Sequence, residues 1–240
     1  MLAAMPTPLI LPAASMQATA QALRPGLWIA CAALVPAADA AAVLCPAAVP
    51  LAARHYPAPA RRQAFLAGRA VAATALAALQ QPTAVGRAAD GAPQWPAGVV
   101  GSIAHDGAQA VAVVGLSRHW QALGVDVEPD LPLPEDAASL VLRSEDEAAL
   151  AQHFGPEAPR YGRLVFGAKE CVHKALHPWR GAWLEFDAVR IEWQGRTTER
   201  GEWLALPVSA EAKTAFADTR LQGRWWRQDG ALFTLLTVSA

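Results

Sequence analysis

The chain has 240 residues, 53% hydrophobic and 17% charged, with 20 Lys+Arg against 21 Asp+Glu and a formal net charge of −1. Length and composition exclude a disordered tail and allow one large cored domain or two small ones. Near-neutrality argues against a general nucleic-acid binder, which carries a basic excess.

Residues 1–25 are rich in Pro and Ala and read as extended or loosely packed. Leu27–Leu34 reads as a buried strand, and Asp39 is a fair N-cap for a short helix after it. Pro59 to Gln80 reads as a long helix. Pro59 suits the first turn, and Phe65, Leu66, Ala72, Leu76 and Leu79 supply an apolar face. Residues 81–98 form a Gly/Pro loop. Val99–Ala104 and Ala110–Leu116 read as strands joined by a turn at Asp106-Gly107, and Gly124–Glu128 as a short strand stopped by Pro129. Glu135–His153 is helical in two pieces, with Ser144 and Glu147 spaced as a capping box. Arg160–His177 is a long helix ended by Pro178. Four β-like segments close the chain: Phe186–Trp193, Trp203–Leu206, Arg220–Trp226 and Leu232–Val238. Runs of strands around single helices predict an α+β fold rather than a doubly wound parallel sheet. Two similar halves are expected, each a small, mainly antiparallel sheet packed with a long helix. The division is placed at 1–118 and 119–240.

The charges are uneven. Residues 1–100 hold six arginines and two acids, and residues 101–240 hold 14 basic and 19 acidic groups. One half could receive phosphates and the other a cation, although ordinary surface variation gives the same counts. Cys31, Cys45 and Cys171 make an odd number without a C-x-x-C pair, which argues for a reducing, cytoplasmic setting. The first positive residue is Arg24, so no secretory n-region is expected. The apolar stretch Leu27–Ala53 is broken by Pro36, Asp39, Pro46 and Pro50, short of the roughly 20 uninterrupted residues of a spanning helix.

Three groups of residues could carry chemistry. In Gly124-Val-Asp-Val-Glu128 the alternation of a strand projects Asp126 and Glu128 to one face. Two such carboxylates are costly together unless a cation or proton lies between them, and hard oxygen ligands suit Mg²⁺; exposed strand-end acids would give the same pattern. In Phe166-Gly-Ala-Lys-Glu-Cys-Val-His-Lys174 the helix makes Glu170 and Lys174 i,i+4 neighbours. Only Lys169, Lys174 and Lys213 are lysine among the 20 basic residues. Two of them within six residues hint at a position that rejects a planar guanidinium. The third group is Gly101-Ser-Ile-Ala-His105 with Arg61, Arg62, Arg69 and Arg87 upstream. These could form a phosphate cradle or be separate solvated side chains.

The order of these motifs resembles the 4′-phosphopantetheinyl transferases of the Sfp/EntD type. Arg62-x-x-Phe-x-x-Gly-Arg69 resembles the family's helix. Trp95-Pro-x-Gly-Val-Val-Gly-Ser-Ile-x-His105 resembles its EntD-like branch, and Leu184-Glu-Phe-Asp-Ala-Val189 resembles the segment after the catalytic helix. The resemblance covers about residues 54–194. It implies Mg²⁺-dependent transfer of the phosphopantetheine arm of coenzyme A to a serine of an apo acyl or peptidyl carrier protein, releasing 3′,5′-ADP. It further implies two similar halves with coenzyme A in the cleft between them. A cytoplasmic monomer that takes no nucleic acid is expected. Siderophore or secondary-metabolite synthesis is the pathway suggested. By resemblance Asp126, Glu128 and Glu170 match the acids around Mg²⁺ and the pyrophosphate, and Lys174 the lysine on the pyrophosphate. Arg61, Arg69, Arg87, Ser102 and His105 match coenzyme A-binding positions, and Arg62 lies in the same motif. Glu170 is the first choice as base for the serine hydroxyl and Glu128 the second. Ala104, Asp106, Gly167, His173 and Gly91 depart from the common pattern. The rival readings are another Mg²⁺-dependent phosphotransferase or hydrolase, and a coenzyme A- or carrier-binding module that has lost turnover.

Overall fold

The computed structural model describes residues 18–33, 45–195 and 198–240. The expected helix after Asp39, the end of the first strand at Leu34 and the first 17 residues lie outside them. The chain divides into two compact units between Leu116 and Ser117.

In the N-terminal unit, β1 (Thr19–Arg24) and β2 (Leu27–Ala33) precede two helices, α1 (Ala48–His55) and α2 (Pro59–Ala78). A two-stranded ribbon, β3 (Gly86–Arg87) with β4 (Pro93–Gln94), sits in what reads from sequence as plain loop. The hairpin β5 (Val99–His105) and β6 (Gln109–Leu116) follows. The sheet order is β1-β2-β6-β5, antiparallel throughout. Pro59 starts α2, where its missing N–H costs nothing. The buried face of α2, with Leu66, Ala70, Ala75 and Leu76, joins Ala30, Ala112 and Val114 of the sheet in one core.

In the C-terminal unit, β7 (Trp120–Pro129) leads into α3 (Glu135–Val141), α4 (Ser144–Phe154), a 3₁₀ segment (Gly155–Tyr161) and α5 (Gly162–Arg180). Then come β8 (Val189–Gln194), β9 (Arg200–Pro207), α6 (Ala210–Phe216), β10 (Leu221–Gln228) and β11 (Ala231–Ser239). The order is β7-β11-β10-β9-β8, again antiparallel. The fold is α+β, and each unit sets a long helix on its own sheet. No helix among the described residues is long and apolar enough to cross a membrane.

Several boundaries differ from the sequence reading for local reasons. The helix α5 does not stop at Pro178 but runs to Arg180, because a proline near the end removes only one N–H. It closes at Gly181, whose φ of +65° and N–H bond to His177 O form a left-handed cap. Ser144 is not the N-cap of α4. Arg143 is, and its N–H donates to the Asp146 carboxylate at 3.2 Å, so the expected box is shifted by one residue. The strand expected at Phe186 begins at Val189 after a 3₁₀ turn. The helix α6, capped by Ser209 Oγ accepting from Ala212 N–H, has too short an apolar pattern to read from sequence.

Candidate active site

The acid-bearing strand and the lysine-bearing helix meet through a glycine. A Cβ on Gly124 would lie 2.0 Å from the Cys171 carbonyl oxygen, so only glycine lets α5 settle on β7 at this depth. The strand then alternates as its pattern requires. Val125 and Val127 are fully buried, and Asp126, paired in register with Thr234, projects to the helix side.

Asp126 is 5% exposed. Lys174 Nζ donates to its Oδ1 at 2.6 Å and to Val125 O at 3.4 Å, and lies 3.7 Å from Glu170 Oε2. The second oxygen of Asp126 is buried and finds no donor among the described residues. Burial pushes the Asp126 carboxyl above its usual range, Lys174 opposes the shift and Glu170 adds to it. Burial also works to lower Lys174, but Asp126 and Glu170 override it and hold the ammonium above the ordinary lysine range. Two carboxylates therefore share one cation, and the cluster carries a surplus negative charge.

Glu128 stands apart. Arg163 Nη1 donates to its Oε2, and Arg163 Nε also donates to Pro132 O at 3.3 Å. Among the described residues no three acidic, histidine or cysteine side chains converge as a ready-made metal cluster. The residues still fit a divalent cation beside Asp126 and Glu170, because a buried carboxylate oxygen without a donor and an unbalanced negative charge are what a hard cation satisfies. Gly167 faces the same spot, where a Cβ would lie 3.1 Å from Asp126 Oδ2 and 2.8 Å from Thr234 Oγ1.

The two clustered lysines have different surroundings. Lys169 is buried, donating to Asp146 Oδ2 at 2.6 Å and Val141 O at 2.9 Å. Asp146 also accepts from Ile191 N–H at 3.3 Å, so this pair ties α5 to the helices and sheet around it. Burial lowers the Lys169 ammonium, and Asp146 works against that shift.

In the N-terminal unit the candidate phosphate residues form a graded set. Arg61 and Arg62 are exposed in the first turn of α2, and Arg62 donates to Tyr56 O and Pro57 O, each at 3.2 Å. Arg69, two turns on, is 4% exposed. Its guanidinium lies 4.5 Å over the Phe65 ring, Nη2 donates to Gly86 O at 3.0 Å, and Nε is buried without an acceptor. No carboxylate among the described residues pairs with it, and burial lowers it to about 10. Arg87 donates to Tyr56 Oη at 3.4 Å and to Ala88 O at 3.1 Å. Ser102 is buried on β5, and His105 is exposed at its end.

Asp106 and Gly91 have local structural reasons. Asp106 turns into its own hairpin, where Oδ1 accepts from Ala108 N–H at 2.8 Å and Gln109 N–H at 2.7 Å, so its charge is engaged in the turn. Gly91 has φ +96°, a backbone conformation that L side chains rarely adopt, and a Cβ there would lie 3.0 Å from Arg87 Nη2. Tyr56, which touches Arg62 through its carbonyl, Arg87 through its hydroxyl and Phe65 through its ring, was not among the sequence candidates; nor were Asp146, Arg163 and Thr234. None stands in a motif, and only tertiary contact reveals them.

Comparison with known proteins agrees with both units. Residues 51–115 match the 4′-phosphopantetheinyl transferase N-terminal domain, and residues 122–221 match the 4′-phosphopantetheinyl transferase superfamily. The chain is 34% identical over 189 residues to 4′-phosphopantetheinyl transferase Npt of Nocardia iowensis, covering 75% of this chain and 83% of that one. It is 30% identical over 186 residues to 4′-phosphopantetheinyl transferase PptT of Mycobacterium tuberculosis, covering 74% and 79%. Enterobactin synthase component D of Salmonella typhimurium is 26% identical over 180 residues, covering 74% and 72%. The chain belongs to the 4′-phosphopantetheinyl transferases, enzymes that transfer a phosphopantetheine group, and has EntD-like relatives.

Proposed function

We propose that the chain moves the 4′-phosphopantetheine of coenzyme A onto a serine of an apo acyl or peptidyl carrier protein, with Mg²⁺, and releases 3′,5′-ADP. The observation that carries this reading is the Asp126–Lys174–Glu170 cluster, with its buried, donor-free carboxylate oxygen and surplus negative charge. Residues 1–118 form the phosphate-binding half. Arg69 is a buried cation without a carboxylate partner among the described residues, and a phosphate would supply the missing acceptor for Nε. Arg61, Arg62, Arg87, Ser102 and His105 complete that group. Residues 119–240 form the catalytic half.

In the transfer the serine oxygen bonds to the phosphorus that carries pantetheine, and the bond from that phosphorus to the oxygen of the ADP phosphate breaks. The serine proton goes to a carboxylate. Glu170 is assigned this role, because its side chain is 26% exposed and open to an incoming hydroxyl or an intervening water. Glu128 is the alternative but is engaged by Arg163. Lys174 neutralises the pyrophosphate as charge moves to the leaving oxygen. A Mg²⁺ held by Asp126 and Glu170, with Glu128 joining if it exchanges Arg163, would supply further neutralisation of the phosphate oxygens; because a metal-bound carboxylate is a weaker base, Glu170 would then take the serine proton through an intervening water. The protein works as a monomer in the cytoplasm, in keeping with its three buried free thiols. The enterobactin synthase component D relatives favour a siderophore or secondary-metabolite carrier as acceptor.

The test is intact mass analysis of a panel of apo carriers incubated with the protein, coenzyme A and Mg²⁺. A gain of one phosphopantetheine with stoichiometric 3′,5′-ADP is expected on at least one carrier. Coenzyme A breakdown without carrier gain would instead identify a hydrolase, and no change on any carrier would leave only a binding module.

A further inference from the structure

The helix that carries Glu170 and Lys174 presents a second set of ligands one step around its surface. His173 and His177 are i,i+4 neighbours, with ring centroids 5.6 Å apart and planes 20° from parallel. Trp183, 68% exposed, stands edge-on to both, at 4.6 Å from His173 and 5.6 Å from His177. Two histidines at this helical spacing can hold one metal ion, as they do in helical zinc motifs. A tetrahedral chelate with metal–nitrogen bonds of 2.0–2.1 Å needs the two nitrogens about 3.3 Å apart. Both rings are only partly buried, so rotation about the side-chain torsions can bring them to that separation.

We propose that His173 and His177 form a bidentate site for an imidazole-preferring transition ion, of the Ni²⁺, Cu²⁺ or Zn²⁺ class, completed by water, and that an ion held there inhibits the enzyme. Imidazole ligands select such ions over Mg²⁺, which prefers carboxylate and phosphate oxygens, so the site is chemically separate from the Asp126–Glu170 cluster. Burial and the neighbouring His177 and Lys174 keep His173 towards its neutral, metal-binding form, and Glu185 lies close enough to offset part of the local positive charge. Lys174 is already committed to Asp126 and Glu170 and so repels an added cation less than a lone ammonium would. The same histidine lines a cavity of about 130 Å³ with Glu170, Trp183, Leu184, Glu185 and Phe186. An ion and its waters on His173 would crowd that cavity beside the proposed base. The inhibitory part rests on the proposed function; the binding part does not.

The experiment is a calorimetric titration of the untagged protein with Ni²⁺, with Mg²⁺ in large excess to fill carboxylate sites, followed in parallel by tryptophan emission. One saturable equivalent is expected, weakened at least tenfold in His173→Asn and in His177→Asn. In Trp183→Phe binding should persist while the quenching is largely lost. Absence of saturable binding, or affinity unchanged in His177→Asn, overturns the site. Carrier modification should fall with Ni²⁺ in the wild type and resist it in His177→Asn; equal inhibition of both, or binding without inhibition, overturns the regulatory claim. If no protein modifies any carrier, the transferase reading fails while the titration still decides the metal site.

Discussion

Lys169→Met gives the sharpest test of the division of labour between the two clustered lysines. Lys169 and Asp146 are 2% and 1% exposed, and the ion pair is 2.6 Å long. Removing the ammonium leaves the Asp146 carboxylate buried, held only by the N–H groups of Arg143 and Ile191. Breaking one side of such a pair costs about 3–5 kcal/mol, because the remaining charge cannot reach water. With about 2–4 °C lost per kcal/mol in a chain of this size, the melting temperature should fall by about 6–20 °C. Calorimetric or circular-dichroism melts would read the shift. Adding Asp146→Asn should recover part of the loss, since the neutral amide no longer needs a counter-charge and can still accept one of the two N–H groups. A shift of under about 1 kcal/mol for Lys169→Met, or strictly additive losses in the double variant, would refute the reading that this lysine is a structural tie.

Other outcomes follow from the same geometry. Gly124→Ala should cost at least about 3 kcal/mol, because its Cβ would meet the Cys171 carbonyl at 2.0 Å and overpacking against backbone has no cheap relief; a near-native melt would disprove the tight seat of α5. Arg69→Met should stay within about 2 kcal/mol of wild type, since it removes an uncompensated buried charge, yet lose the thermal upshift given by coenzyme A, about 2.7 kcal/mol at a hundredfold excess over Kd; equal upshifts would remove Arg69 from phosphate binding. The three buried thiols should resist Ellman's reagent in the native state and all react after unfolding. Burial holds the folded Cys31 thiol above its unfolded value of 9.0, so the native state keeps this proton longer and its contribution to stability is lost as pH rises beyond that value; a denaturation series whose stability is unchanged above pH 9 in wild type relative to Cys31→Ala would contradict this.

Much of this was legible in the sequence, and the reasons differ from element to element. Period-two alternation places Asp126 on the face opposite Val125 and Val127, and helical spacing makes Glu170 and Lys174 neighbours; both rest on local geometry alone. The cluster of two lysines pointed to a special position but could not tell the lysines apart. Only the fold brings Asp146 to Lys169 and Asp126 to Lys174, across 23 and 48 residues of sequence. The pairing of Glu128 with Arg163 was invisible for the same reason, and it separates one of three acids that the motif groups together. The ends of α5 and α4 depended on the Gly181 cap and on the Asp146 carboxylate, local chemistry that helical periodicity does not encode.

In the proposed reaction the Asp126–Glu170–Lys174 cluster drives phosphopantetheine transfer. The decisive experiment follows carrier mass gain over time for wild type and Asp126→Ala, each checked by its melt, with saturating coenzyme A and Mg²⁺. The wild type should convert the carrier, and a folded Asp126→Ala should convert it at least about a hundredfold more slowly, a loss of about 2.7 kcal/mol or more of transition-state stabilisation. Equal rates for the two proteins would contradict it.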